Sequence, residues 1–372
     1  MIWRDLEREL QQREAAGRRR TLRLVPEGTL DAASNDYLGL ARHPEVVRAA
    51  QDAAEQFGAG ARASRLVSGH FALIQQLETE LASFKGTETA LVFSSGFAAN
   101  VGVISALSND EAALFCHKRN HASLLDGCRL AQAKGAVTRY FESPDKLRAL
   151  LQKSKSPRKI VVADGVFSMD GDLLPLPEVL ALCGEFEAIL LLDDAHGTGT
   201  LGATGRGIEE HFGVHSERIL TVGTLSKALG SQGGFVCGPR VAIDYFLGAA
   251  PSFVYSTGLN PPAVGAALAA LRLLQREPGR VRRCRDNAMQ LATRLGELGF
   301  EACFSGTPII PVIIGDERAA LALAAQLEAR GLWCPAIRPP TVPRGTSRLR
   351  LTACSEWGPE ELERIVAGFS SI

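Results

Sequence analysis

Two runs of consecutive apolar residues constrain this chain more than any other feature. They are KIVVAD (159–164) and AILLLDD (188–194), and each ends in acid. A strand with one wet face alternates apolar and polar residues, whereas a strand that is apolar throughout must be covered on both faces. The pattern recurs in ALVF (90–93), AALFC (112–116), RILTV (218–222) and GFVCG (234–238). Helical stretches lie between the runs, among them 94–107 and 121–135, the second ending in glycine. The alternation predicts an α/β fold in which helices sandwich a mostly parallel sheet.

The flanking regions differ. Residues 1–20 read as an amphipathic leading helix ending in Arg18, Arg19 and Arg20. Helices are expected at 43–57 and at 71–85, where Leu73, Leu77 and Leu81 share one face. Between them, GAGARASRLVSGH (58–70) is too glycine-rich for a regular element and too apolar for a linker, so it reads as a buried loop lining something. After YSTGLNPP (255–262) come a small-residue helix, an arginine-rich helix, PIIPVIIG (308–315), a helix over 317–330, LWCPAI (332–337), SRLRLTAC (347–354) and a final helix from Pro359. The expected division is an N-terminal helix and arm (1–45), a large domain (46–265) and a smaller C-terminal α/β domain (266–372).

With 372 residues the chain exceeds one small core, and 46% hydrophobic with 22% charged residues fits a soluble globular protein. A formal net charge of zero gives no global field toward nucleic acid or an anionic membrane. No apolar run approaches the roughly 18–20 residues of a membrane span. The N-terminus lacks the apolar core of a signal peptide. The eight cysteines contain no C-x-x-C pair and read as reduced thiols of a cytoplasmic protein. His117/His121 and His211/His215 have i, i+4 spacing but no third ligand, so no metal is expected.

Ligands of open α/β sheets bind beyond the carboxyl ends of the strands. Five strand ends here carry chemistry: Ser94–Ser95–Gly96–Phe97, His121, Gly165 with Ser168, Asp193 with Asp194 and His196, and Thr224 with Ser226 and Lys227. Lys227 sits among small residues in TVGTLSKALGSQGG (221–234). A lysine whose ammonium is destabilised becomes a nucleophile toward carbonyls, which suggests a Schiff base with pyridoxal phosphate (PLP). Around that cofactor, Gly96 and Phe97 at a helix N-terminus suit the phosphate. Asp193 suits the pyridinium nitrogen, since a protonated ring is the better electron sink. His196 suits the phenolate oxygen, and His121 could lie over the ring. Singly, each has a bland reading as a cap or a satisfied core group; their coincidence carries the weight. GTGTLG (197–202) matches a dinucleotide fingerprint, the basis of a remote oxidoreductase alternative. Four residues separate strand from glycine, however, and no acid follows at the ribose position.

DDAHGTGTLG (193–202) followed by TLSKALG (224–230) resembles the PLP-dependent α-oxoamine synthases, and DGVFSMDGD, SSGFAAN and NDYLGL are similar to motifs of that family. The resemblance runs from about Asn35 to Thr352. It implies the type I, aspartate aminotransferase-like fold, with a seven-stranded sheet in the large domain. It also implies a transferase that joins an amino acid to an acyl thioester with loss of carbon dioxide. SRLVSGH (64–70) and IRPPTVPRGTSRLRLT (337–352) resemble the alanine-using branch that serves biotin synthesis, with L-alanine and a pimeloyl thioester of CoA or a carrier protein as substrates. A glycine-using acyltransferase of the same family is the alternative.

By matching motif, the resemblance implies Lys227 as the Schiff-base lysine and Asp193 at the pyridine nitrogen. His196 and Ser168 would meet the phenolate oxygen, His121 would stack on the ring, and Gly96, Phe97 and Thr224 would hold the phosphate. Arg350 would grip the amino acid carboxylate. Asn35 and His121 would touch substrate, and Thr341 with Arg18, chosen over Arg19 and Arg20, would line the acyl path. Active sites of the family form between the subunits of a homodimer, which assigns Ser256 and Thr257 to the partner's phosphate. Ala61, Arg62 and Ala63 stand where the family pattern has mostly glycine and serine.

Overall fold

The six apolar runs and one further segment form one sheet of seven strands: β1 (Thr89–Phe93), β2 (Ala112–His117), β3 (Val137–Phe141), β4 (Arg158–Asp164), β5 (Ile189–Asp193), β6 (Ile219–Thr224) and β7 (Gly234–Gly238). The structure, a computed structural model, describes residues 2–370. The spatial order is β1-β7-β6-β5-β4-β2-β3. Only β7 opposes its neighbours; the other pairings are parallel. Its reversal follows from the connection 225–233, which is too short for a crossover helix. Strand β3 has no counterpart in the sequence reading. It is one of the two edge strands, and VTRYF buries only Thr138 and Phe141, so it lacks the apolar run that marks the others.

Successive residues of a strand point to opposite faces, and the two cores show it. Ala90, Val92, Phe235 and Cys237 join one core cluster, while Leu91, Phe93 and Val236 join the other. The first is covered by the helices Pro44–Phe57, Ala72–Lys85 and Pro261–Arg276. The second is covered by Gly96–Leu107, Ala122–Ala133 and Arg240–Ala249.

The chain divides into two compact units. The larger comprises Asn35–Ser168 and Asp172–Cys284; the smaller comprises the residues up to Ser34, Met169–Gly171 and those from Arg285 on. These boundaries differ from those read in the sequence, which broke at 45/46 and 265/266. Tyr37, Leu38 and Leu40 belong to the large unit's core. The helix Pro261–Arg276 belongs there too, because its small residues let it lie close to Pro44–Phe57: a Cβ on Gly265 would come within 2.6 Å of the Ala49 carbonyl oxygen. The break falls inside the arginine-rich helix Gly279–Glu297.

In the smaller unit, an antiparallel sheet has the order Ala336–Ile337, Ser347–Thr352, Ile309–Gly315, Glu301–Ala302. A separate parallel pair joins Leu30–Asp31 to Leu332–Trp333. The helices Glu317–Ala329 and Pro359–Ser370 supply Leu323, Leu327, Ile365 and Phe369 to its core. No described helix is long and apolar enough to cross a membrane.

Candidate active site

Parallel strands β4, β5 and β6 place their carboxyl ends side by side, with Asp164 opposite Asp193 and Asp193 opposite Val222 in register. Asp193 is 6% exposed. Its Oδ1 accepts the Ala195 N–H at 2.9 Å and its Oδ2 accepts Asn100 Nδ2 at 2.6 Å. Three residues on, His196 is clamped at both ring nitrogens: Nδ1 lies 2.7 Å from the Tyr37 hydroxyl and Nε2 lies 3.0 Å from Lys227 Nζ. The Tyr37 hydroxyl also lies 2.9 Å from Asn35 Oδ1 and donates there, so its oxygen is left to accept from His196. Lys227 is half-buried at the start of the turn that leads from β6 to β7.

His121 caps the helix Ala122–Ala133, its Nδ1 accepting the Ser123 N–H at 3.3 Å, and its own N–H donates to Asp164 Oδ2 at 2.7 Å. Burial of the imidazole's surroundings lowers the His121 pKa, Asp193 pulls it partly back, and Lys227 lowers it further. Asp164 moves the other way: burial raises its pKa well above the carboxylate range, and the charge of Asp193 adds to the rise.

A cradle lies at the same sheet edge. Ser95 caps the helix Gly96–Leu107 through the Ala98 N–H at 3.0 Å, which leaves the Gly96 and Phe97 N–H groups in a first turn that has no intrahelical acceptors. A Cβ on Gly234 would lie 2.4 Å from the Gly96 nitrogen, so only glycine allows β7 to begin beside that turn. Thr224 approaches from β6, its Oγ1 donating to the Gly233 carbonyl oxygen at 2.9 Å and lying 2.8 Å from Ser226 Oγ. Ser168 is half-buried in the turn after β4, beyond the Val166–Leu173 bridge. Ser256 is half-buried and Thr257 exposed, in the segment bridged to Ser64.

The large unit thus gathers an amine, two buried acids, two imidazoles and a helix N-terminus at one sheet edge. This donor set fits PLP: an amine for the aldehyde, an anion for the ring nitrogen and free N–H groups for the phosphate.

The smaller unit holds the other sequence candidates. Arg350 is buried on strand Ser347–Thr352, opposite Pro311. Arg18 pairs with Glu317 at 2.8 Å, whereas Arg20 donates to Thr341 Oγ1 at 2.7 Å. Arg18, Arg20, Arg23, Arg338 and Thr341 line a cavity of about 820 Å³.

Three features depart from the sequence reading or were absent from it. The loop 58–70, expected to be buried, is largely exposed, with Leu66 at 55% and Val67 at 80%. Arg62 within it adopts φ 68°, a left-handed conformation that glycine adopts without strain. GTGTLG makes no phosphate loop. Its turns wrap the Asp194 carboxylate, which binds Lys85 Nζ at 2.9 Å, Thr198 Oγ1 at 2.9 Å and the Ile208 N–H at 3.2 Å. Asn100, Ser123, Tyr37 and Asp164 join the site without having been given a role by any motif. For Asn100 the signal was present: an amide in the otherwise apolar stretch FAANVGVISAL (97–107).

The family model for class I and II aminotransferases matches residues 28–369. A putative 8-amino-7-oxononanoate synthase from Desulforudis audaxviator (strain MP104C) is 47% identical, over 96% of this chain and 96% of its own. The 8-amino-7-oxononanoate synthase of Lysinibacillus sphaericus is 43% identical, over 98% and 97%. A solved serine palmitoyltransferase from S. paucimobilis with bound PLP-myriocin aldimine superposes with TM-score 0.91 at 30% identity, covering 99% of this chain and 96% of that one. The fold is that of the PLP-dependent aminotransferases. The chain belongs to the class I and II aminotransferase family, in the branch whose curated members are named 8-amino-7-oxononanoate synthase.

Proposed function

We propose that this enzyme condenses L-alanine with a pimeloyl thioester, releasing carbon dioxide and the free thiol to give 8-amino-7-oxononanoate for biotin synthesis. The observation that carries the reading is the contact of Lys227 Nζ with His196 Nε2 at the sheet edge where Asp193 is buried. Bound there, PLP supplies an aldehyde for the amino acid and a ring that withdraws electrons from the carbon losing its proton.

The protein's own groups divide the remaining work. Lys227 would hold the cofactor by its aldehyde and, with alanine bound, would take the α-proton and later return it. Asp193 keeps a proton at the ring nitrogen, an arrangement supported by its burial and its two donors. His196, oriented by Tyr37, and Ser168 serve the phenolate oxygen. His121 covers the ring. The Gly96 and Phe97 N–H groups and Thr224 hold the phosphate. Arg350 takes the alanine carboxylate as a planar fork of donors, Asn35 contacts substrate, and Thr341 with an N-terminal arginine lies along the acyl path. Arg18 is the arginine named by motif; the contact of Arg20 with Thr341 supports a share for Arg20.

The working form is a homodimer, with Ser256 and Thr257 meeting the partner subunit's phosphate. Exposed Leu66 and Val67, together with Tyr255 at 87%, support a second copy covering this face. The enzyme acts in the cytoplasm, in keeping with eight cysteines that form no disulfide.

The test is release of free CoA from pimeloyl-CoA by the PLP-loaded enzyme with alanine, glycine or serine. Alanine is expected to give the fastest turnover, with a product of the mass of 8-amino-7-oxononanoate. Faster release with glycine or serine would assign the enzyme to another acyltransferase of the family.

A further inference from the structure

One buried chain of polar groups links two residues of the pocket that lie 72 positions apart. It begins at Asp193, whose Oδ2 lies 2.6 Å from Asn100 Nδ2. The same Nδ2 lies 2.9 Å from Ser123 Oγ, and Ser123 Oγ lies 2.8 Å from His121 Nδ1. Asn100 is 1% exposed and Ser123 0%. Tight packing brings them together: a Cβ on Gly127 would lie 2.7 Å from Ile104 Cδ1, so the Ile104 side chain of the helix Gly96–Leu107 packs directly on the bare backbone of Ala122–Ala133.

Counting protons fixes the direction of every bond. A carboxylate only accepts, so the amide must face it with its NH₂ group; turned over, it would set one oxygen against another. Both amide hydrogens are then used, one on Asp193 and one on Ser123. Ser123 Oγ, having accepted from Asn100, has its own hydrogen left for His121 Nδ1. The Ser123 N–H points to the same nitrogen at 3.3 Å. His121 Nδ1 is therefore an acceptor, and a neutral ring carries its proton on Nε2. The arrangement has a cost: Asn100 Oδ1 is buried without a hydrogen-bond partner. An unmet acceptor of this kind is unusual in a folded interior and marks a residue held for what its other atoms do.

We propose that Asn100 is a positioning residue that sets two groups at once, orienting the Asp193 carboxylate and, through Ser123, committing His121 to its Nε2–H tautomer. The His121 half stands on hydrogen-bond geometry alone; the Asp193 half rests on the reading of the pocket as a PLP site. A neutral Nε2–H ring would cover the cofactor without bringing a positive charge beside the amine that must act as base. The Asp193 carboxylate would be held in place for the ring nitrogen.

Full-length enzyme labelled with ¹⁵N-histidine tests the tautomer, with His121 assigned by its absence in His121→Asn. Two-bond ¹H–¹⁵N correlations are expected to show His121 protonated on Nε2 in the cofactor-free wild type. In Asn100→Asp the new carboxylate takes the Ser123 hydroxyl hydrogen, and a measurable Nδ1–H or doubly protonated population should appear. Ser123→Ala provides the same readout if that variant does not fold. Asn100→Leu should bind PLP about tenfold more weakly in a spectrophotometric titration, the effect of one lost charge-assisted hydrogen bond. A wild-type His121 proton on Nδ1, or wild-type tautomers in both folded relay variants, overturns the His121 half. Wild-type PLP affinity in Asn100→Leu overturns the Asp193 half. Failure of the wild-type enzyme to bind PLP would instead remove the cofactor reading and leave the tautomer result to decide the relay.

Discussion

Asp193 and Asp194 are neighbours in sequence and opposites in use. Asp193 ends strand β5 and Asp194 follows it, and both are almost wholly removed from solvent. Asp194 meets a cation: Lys85 Nζ lies 2.9 Å away, in a pair whose side chains are 1% and 0% exposed. Burial opposes the Lys85 ammonium, but Asp194 and Glu209 outweigh it and raise its pKa above the ordinary lysine value. Asp193 instead meets neutral donors, the Asn100 amide and the Ala195 N–H, at the edge where Lys227 contacts His196. A lysine locked to a buried carboxylate holds its proton and builds structure; a lysine that trades its proton, the role proposed for Lys227, needs a different neighbourhood. The fold sets these two arrangements one residue apart.

The largest effect should come from the reactive side of this pair. Lys227→Ala should lower turnover by at least about a thousandfold, the scale of a lost base and nucleophile. It should also abolish the yellow chromophore that borohydride would otherwise fix to this residue. Steady-state CoA release and a visible spectrum measure both. Wild-type-like activity in this variant would sink the proposed chemistry. Global unfolding of the cofactor-free protein should barely change, since Lys227 is only half-buried.

Lys85→Met inverts that profile. Removing one partner of a buried ion pair strands the other charge, which costs about 3–5 kcal/mol. Urea unfolding of the cofactor-free enzyme should register a loss on that scale, and Asp194→Leu in the same chain should recover part of it. If Lys85→Met unfolds like the wild type, the contrast between structural and reactive lysines fails.

The sequence disclosed these two aspartates unequally. Strands β4 and β5 were legible because strands buried on both faces must be apolar throughout, and their ends could be read as a site. Asp193 and His196 announced themselves at the end of β5, and Lys227 just past the end of β6. Lys85 did not: it closes an amphipathic helix, where a lysine ordinarily complements the helix dipole in solvent. Its partner lies 109 residues away, and nothing local records that pairing. For the same reason GTGTLG imitated a nucleotide fingerprint. Glycine is required at its first position because a Cβ on Gly197 would lie 2.0 Å from Asp194 Oδ1. The exposure of Leu66 and Val67 was equally hidden, since an apolar loop reads alike whether its cover is this chain or another.

Asp164 tests what a third acid does beside these two. It faces Asp193 across β4 and β5 and accepts the His121 N–H, and burial first, then Asp193, raises its pKa well above the carboxylate range. A raised native pKa means that the folded state binds this proton more tightly than the unfolded chain does. Its contribution to stability is therefore full below the ordinary carboxylate range and is lost as pH rises through the native value. Asn at this position can still accept the His121 N–H through its carbonyl oxygen and cannot ionise. Asp164→Asn should therefore match the wild type in urea unfolding near pH 4 and exceed it increasingly toward pH 8. A constant difference across that range would show that Asp164 stays ionised in the native protein. It would then have to draw on a cationic neighbour as Asp194 does, and the division between an acid held by a cation and acids held by neutral donors would not extend across the sheet edge.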